Sequence, residues 1–245
     1  MSAVVVLSGG MDSTVLLDHL LSDMAVTSCV SFNYGQRHKK ELEFAAATAE
    51  AHGITHHVID LYKSGFTEAL APSGSSLVTD TDVPEGHYAE ESMKATVVPN
   101  RNMVMLSIAG AIGVAEGAQV VATGVHAGDH FIYPDCRPPF ISAASHALFY
   151  GNEGFGTMSG IIAPFIEWSK AQIAGCGIDL GVDFSKTWSC YKGGDIHCGK
   201  CGTCVERLEA IAQAAEFRNM EREDVDTTEY EDVDFWKRAI EEAKN

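Results

Sequence analysis

Several things are scarce in this 245-residue sequence, and each shortage narrows its class. No apolar run approaches the ~20 residues needed to cross a bilayer, so no membrane partner is expected. The opening MSAVVVLSGGMDS has neither a basic stretch nor a cleavage site, so no signal peptide is expected and a cytoplasmic location follows. Basic residues are also few. Seventeen Lys and Arg face thirty-four Asp and Glu, a net charge of −17 that leaves no broad electropositive face for a nucleic-acid backbone. The acidic excess is partly local, with ten acids against four bases in 221–245, and it reads as a solubility feature. An even cysteine count, expected of a secreted disulfide framework, is missing too: there are seven, four of them crowded into 190–204. No internal repeat is visible.

What is present reads as an α/β domain. Residues 3–7 (AVVVL) form a continuous apolar run, as in a strand buried on both faces. A glycine turn follows, then a helical pattern over 13–21. Strands over 26–32, 57–61 and 119–123 alternate with helices over 39–52 and 102–116, the last two ended by Gly53 and Gly117. That rhythm predicts βαβ units and a doubly wound parallel sheet. Two stretches break it. Residues 71–100, rich in Pro, Ser, Gly, Thr and Asp, suit a lid, a binding loop or a disordered excursion. Residues 124–139 follow a strand directly, where open α/β sheets bind ligands. Beyond Val205 the pattern gives a helix, an acidic loop and an amphipathic helix near 235–243. The expected division is 1–185 as a nucleotide-binding domain and 186–245 as a metal-binding helical extension.

The turn after the first strand is Leu7-Ser8-Gly9-Gly10-Met11-Asp12-Ser13-Thr14, running into Val15, Leu16 and Leu17. Glycines let a backbone approach a phosphate chain, and N–H groups at a helix start attract anions. Asp12 would repel bare phosphate, so it implies a bridging Mg²⁺ or a helix cap. The loop lacks both the Gly-Lys-Ser/Thr of a Walker A motif and a G-x-G-x-x-G fingerprint. It resembles the SGGxDS loop of PP-loop ATP pyrophosphatases, which cleave ATP between its α and β phosphates. That resemblance implies that residues 7–17 hold ATP with Mg²⁺.

Cys190, Cys198, Cys201 and Cys204 follow the spacing C-x7-C-x2-C-x2-C. Cysteines three apart aim successive thiolates at one tetrahedral Zn²⁺, and four of them leave no position for catalytic water. One structural zinc per chain is the expectation. An iron–sulfur cluster shares the C-x2-C-x2-C core, and His197 is a rival for one ligand position.

The two motifs together, with SFNYGQRH at 31–38, VPNRN at 98–102, YPDCR at 133–137, Trp168-Ser169-Lys170 and TWSCY at 187–191, resemble the 7-cyano-7-deazaguanine synthase family from Val4 to about Arg207. Asn100 stands where that family usually has glycine. The resemblance implies an adenine nucleotide alpha-hydrolase-like Rossmann fold and a homodimer. It also implies ATP-dependent conversion of 7-carboxy-7-deazaguanine and ammonia to the nitrile, in 7-deazaguanine and queuosine biosynthesis. Adenylation makes the carboxylate oxygen a leaving group, ammonia displaces AMP, and a second adenylation of the amide permits loss of AMP to leave C≡N.

Asp12, Lys170 and Arg101 are the candidate catalytic groups, the two cations for phosphate or carboxylate. Asp129, Asp135 and Arg137 lie in the loop after the fourth strand, where carboxylates suit the donor edge of a guanine-like ring. Tyr34, Gln36, Arg37 and His38, after the second strand, and Asn102 complete the candidate substrate site. His126 and His130 suggest a second metal by their spacing, or a structural pair. The rivals are another PP-loop enzyme, either an amide-forming synthetase or a tRNA thiolase, and an ATP-sensing module without turnover. A thiolase would need a catalytic cysteine such as Cys29 or Cys136 and a basic surface.

Overall fold

The structure, a computed structural model, describes residues 1–243. Five parallel strands form one sheet in the order β3-β2-β1-β4-β5, with β1 at Ser2–Val6, β2 at Ala25–Asn33, β3 at Thr55–Asp60, β4 at Val120–Ala122 and β5 at Gly160–Ile162. The chain winds outward from β1 to β3 and then crosses to β4 and β5, so the strand order reverses beside β1. Such a reversal opens a crevice at the carboxyl ends of the central strands.

The alternation of β1 separates two apolar layers. Ala3 and Val5 face α1 (Met11–Leu21) and α2 (Lys40–Ala51), together with α6 (Lys170–Leu180) and α7 (Gly202–Glu216). Val4 faces α4 (Arg101–Glu116) and α5 (Pro138–Gly151). Strands covered on both sides read as unbroken apolar runs, which is why AVVVL is legible as one. The remaining helices, α3 (Phe66–Leu70), α8 (Arg222–Val225) and α9 (Phe235–Ala243), are short. Residues of α7 (Ala210, Ile211, Ala214) sit in the same layer as α1, and α9 adds Ala239 and Ile240 against Val205. No helix of the described residues is long and apolar enough to cross a membrane.

The expected helices and strands up to residue 123 are all present, within a residue or two at most ends. Helix α5 and strand β5 lie where no element is expected from the sequence. The 71–100 excursion is an ordered cover that buries Leu77, Val83, Met93 and Val98. Asn100, just before α4, has φ 55°, a left-handed conformation that glycine adopts freely and asparagine tolerates.

Candidate active site

The crevice is a cleft walled by the loop after β1, the end of β2, the start of α4, the loop after β4 and the start of α6, and roofed by the 71–100 excursion and residues 188–206. At its floor the β1–α1 loop is stiffened from within. Ser13 Oγ donates to Gly10 O (3.2 Å), Ser8 N donates to Ser13 Oγ (3.1 Å) and Gly10 N to Ser8 Oγ (3.2 Å). Gly9 holds φ 83°, and a Cβ there would lie 2.1 Å from the Glu41 carbonyl oxygen, so only glycine fits. No side chain caps α1. Gly10, Asp12 and Ser13 line the cleft, so the positive dipole end of α1 lies at it, as an anion site requires.

Asp12 lies in the first turn of α1 and does not cap it. Its Oδ2 is 3.2 Å from Lys170 Nζ and 3.8 Å from His126 Nε2, while its buried Oδ1 has no partner. Burial pushes its carboxyl up, but Lys170, then His126, outweigh this and hold it below the usual value. Lys170 opens α6 without being a solvated helix-start lysine. Its Nζ sits between Asp12 and Glu206 Oε2 (2.8 Å), and these two carboxylates raise its affinity for the proton against the opposing cost of burial. Arg101, at the first position of α4, faces the cleft and donates to Tyr34 Oη (3.1 Å).

The sequence candidates divide cleanly. Leu7, Ser8, Gly10, Asp12, Ser13, Tyr34, His38, Arg101, Asn102, Asp129 and Lys170 line the cleft. Gly9 shapes the loop, whereas Met11, Val15, Leu16 and Leu17 are core residues of α1. Thr14 is buried in the same helix. Gln36 is enclosed and braces the turn after β2, accepting from Tyr34 N (2.8 Å) and donating to Phe32 O (2.9 Å). Arg37 donates to Thr79 O, Asp135 accepts from Asn102 N, and Arg137 donates to His130 O, so these three fasten loops outside the lining.

Other lining residues carry no sequence signal. Glu41 in the first turn of α2 reads as a solvated helix-start acid, yet it faces the cleft, accepts from Gln36 Nε2 (3.0 Å) and lies 3.5 Å from His38. Burial pushes it up to about 8, against the pull of Gln36 and Arg101. Burial, aided by Arg101, depresses His38 to about 3, so it is neutral. Glu206 is missed for the same reason as Glu41. Its one clue is its place two residues after Cys204.

The four cysteine Sγ atoms lie within 4.8 Å of one another and all four residues are buried. Amides of Cys198, Lys200 and Cys201 donate to cysteine sulfurs at 3.3–3.4 Å, an arrangement that stabilises thiolates. The set therefore fits a tetrahedral thiolate-bound ion. His197 is not among the ligands, since its Nε2 accepts from Ser189 N (3.1 Å). Among the described residues no other group of three or more His, Cys, Asp or Glu is placed to hold an ion, so His126 and His130 form no second such group. Cys29 and Cys136 are buried and their thiols are pushed up by desolvation, the reverse of an activated nucleophile.

The family model described as "Queuosine biosynthesis protein QueC" matches residues 2–215. A 7-cyano-7-deazaguanine synthase of Rhizobium johnstonii is 50% identical over 240 residues, covering 98% of this chain and 96% of that protein. One of Brucella anthropi is 49% identical over 241 residues, 98% of each chain. Among solved structures, NMN synthetase from Francisella tularensis is similar at 14% identity and a TM-score of 0.46, covering 99% of this chain and 86% of that one. By the extent of the family match and the identity shared along almost its whole length, the chain belongs to the QueC family of queuosine biosynthesis proteins.

Proposed function

We propose that this chain is a 7-cyano-7-deazaguanine synthase, an ATP-dependent carbon–nitrogen ligase that turns 7-carboxy-7-deazaguanine and ammonia into the nitrile. What carries the reading is that Ser8, Gly10, Asp12 and Ser13 of the β1–α1 loop, Arg101 and Lys170, far apart in sequence, line one cleft in a chain half identical to proteins of that name. A carboxylate is a poor electrophile. Attack of its oxygen on the α-phosphorus of ATP breaks the bond to the β-phosphate, releases pyrophosphate and leaves an acyl adenylate. Ammonia displaces AMP and loses a proton to give the amide. The amide oxygen then attacks the α-phosphorus of a second ATP and releases a second pyrophosphate, and cleavage of the C–O bond with departure of AMP and loss of both N–H protons leaves the nitrile.

In this scheme the amides of the β1–α1 loop receive the departing pyrophosphate, and Lys170 offsets charge that builds on the transferred phosphate. Arg101 holds the substrate carboxylate or a phosphate, and Asp129 accepts from the donor edge of the ring. Mg²⁺ arriving with ATP would be held by the free Oδ1 of Asp12, neutralising phosphate charge that this carboxylate would otherwise repel. Zn²⁺ would be held by Cys190, Cys198, Cys201 and Cys204 as a structural ion. Ammonia as nitrogen donor and assembly as a homodimer belong to the same proposal and rest on the resemblance, and the cytoplasmic location expected from the sequence belongs with them.

The test is pyrophosphate release that requires both 7-carboxy-7-deazaguanine and ammonia. Release with neither, or only with a tRNA substrate, would overturn the reading. Asp12→Ala should lower pyrophosphate release at least about 100-fold, the order lost when charge stabilisation is removed. Its melting temperature should stay within a few degrees of the parent.

A further inference from the structure

The 71–100 excursion has no counterpart in a minimal doubly wound fold, yet Val83, Tyr88, Met93 and Thr96 line the cleft. It is fastened at several points. Glu85 bridges to Cys201 in antiparallel fashion and pairs with Lys192, and Gly86 N donates to Lys200 O (3.0 Å). Tyr88 Oη donates to Glu209 Oε2 (2.8 Å). Met93 lies over Gly202, where a Cβ would come within 2.8 Å of its sulfur. A segment held this way is a fixed wall, and it needs an occupant to face.

Hydrogen-bond direction identifies what that wall accepts. Thr96 Oγ1 donates its one proton to Met93 O (2.7 Å). The Tyr133 hydroxyl, 2.6 Å from Thr96 Oγ1, then donates to it, so toward every other group the Tyr133 oxygen is an acceptor, and the Tyr191 hydroxyl is one donor already in its reach. Asp129, on the same loop as Tyr133, adds a carboxylate to the cleft lining. The wall thus offers acceptors set among apolar side chains, a surface for a flat heterocycle with ring N–H and amino donors. ATP belongs elsewhere: with its phosphates on the β1–α1 loop, its nucleoside extends toward the second strand in a doubly wound fold. There Phe32 and Tyr34 line the cleft.

We propose that residues 83–96, with Tyr133 and Asp129, form the subsite for the pyrrolopyrimidine ring of the acid substrate, and that the Thr96–Tyr133 hydroxyl pair determines its selectivity. This rests on the function proposed above. Thr96→Val and Tyr133→Phe each remove the directed pair with little change of shape, so one of them stays readable if the other folds poorly. Calorimetric binding of 7-carboxy-7-deazaguanine and of ATP should be measured on the parent and both variants, alongside turnover. The expected result is about a tenfold rise in Kd and KM for the deazaguanine in a folded variant, with ATP values within twofold. Unchanged deazaguanine binding, or an equal loss of ATP affinity, overturns the subsite while leaving the function intact if the parent turns over. A parent that binds the deazaguanine with the expected variant effects, yet releases no pyrophosphate, overturns the function alone. A parent that does not bind it overturns both.

Discussion

Burying a carboxyl group costs free energy unless partners replace water, and Glu41 has too few. Burial raises its pKa from 4.5 to about 8 despite Gln36 and Arg101. The consequence for stability has a definite sign. Below pH about 4.5 the group is protonated in both folded and unfolded chains and costs nothing extra. Between about 4.5 and 8 the unfolded chain releases its proton while the folded chain keeps it, so stability falls as pH rises, and above 8 the loss is constant. Glu41→Gln should therefore melt with the parent at pH 5 but be more stable at pH 8, by about 1–3 kcal/mol. Calorimetry at the two pH values checks this, and parallel melting curves for parent and variant would refute it. Glu41 also shows why a site is only partly legible in sequence. Asp12 and Ser13 announce themselves because glycines surround them, whereas a glutamate opening a helix looks the same whether it faces water or a cleft.

Helix α6 carries the comparable lesson for an element. Ser169 Oγ accepts from Gln172 N (3.3 Å) while Gln172 Oε1 accepts from Ser169 N (2.8 Å), a capping box that fixes where the helix begins. It fixes Lys170 with it, at a position from which Nζ meets Asp12 and Glu206 together. Ser169→Ala should cost about 1 kcal/mol, or about 2–4 °C of melting temperature for a chain of this size. The KM for ATP should rise as Lys170 loses its anchor. Thermal melts and ATP titrations of the variant check both, and an unchanged Tm would mean that tertiary packing alone sets the helix start. The Trp-Ser-Lys segment is readable in the sequence through its place in a familiar order of motifs, not through its cap. Strand β5 was not, since three residues at a sheet edge carry no period. Nor was α5, where Pro138 and Pro139 look like the close of a loop although proline is at home in a first helical turn.

At the scale of the molecule, the four-cysteine centre is where four separate parts of the chain meet. Before it, Trp188 N donates to Gly9 O (2.8 Å) in the β1–α1 loop. Within it, Lys200 and Cys201 hold the 71–100 excursion at Gly86 and Glu85. His197 exchanges backbone hydrogen bonds with Glu229 and Glu231 of the acidic tail, and the following α7 brings Glu206 to Lys170. A four-thiolate ion held there would have no open position for water or substrate, so its contribution would be to stability and placement. Zinc binding of this type supplies on the order of 10 kcal/mol of folding free energy in small peptides, and less where a sheet already exists. Chelation, or Cys201→Ala, should therefore lower the melting temperature by about 5–10 °C. Metal analysis should show the ion gone, and residual pyrophosphate release should track the folded fraction. Added Zn²⁺ should restore the melting temperature of the chelated parent but not of the variant. A metal-free variant that melts like the parent yet has no turnover would place the ion in the chemistry instead, because a purely structural ion cannot be lost from a fold that does not notice its absence.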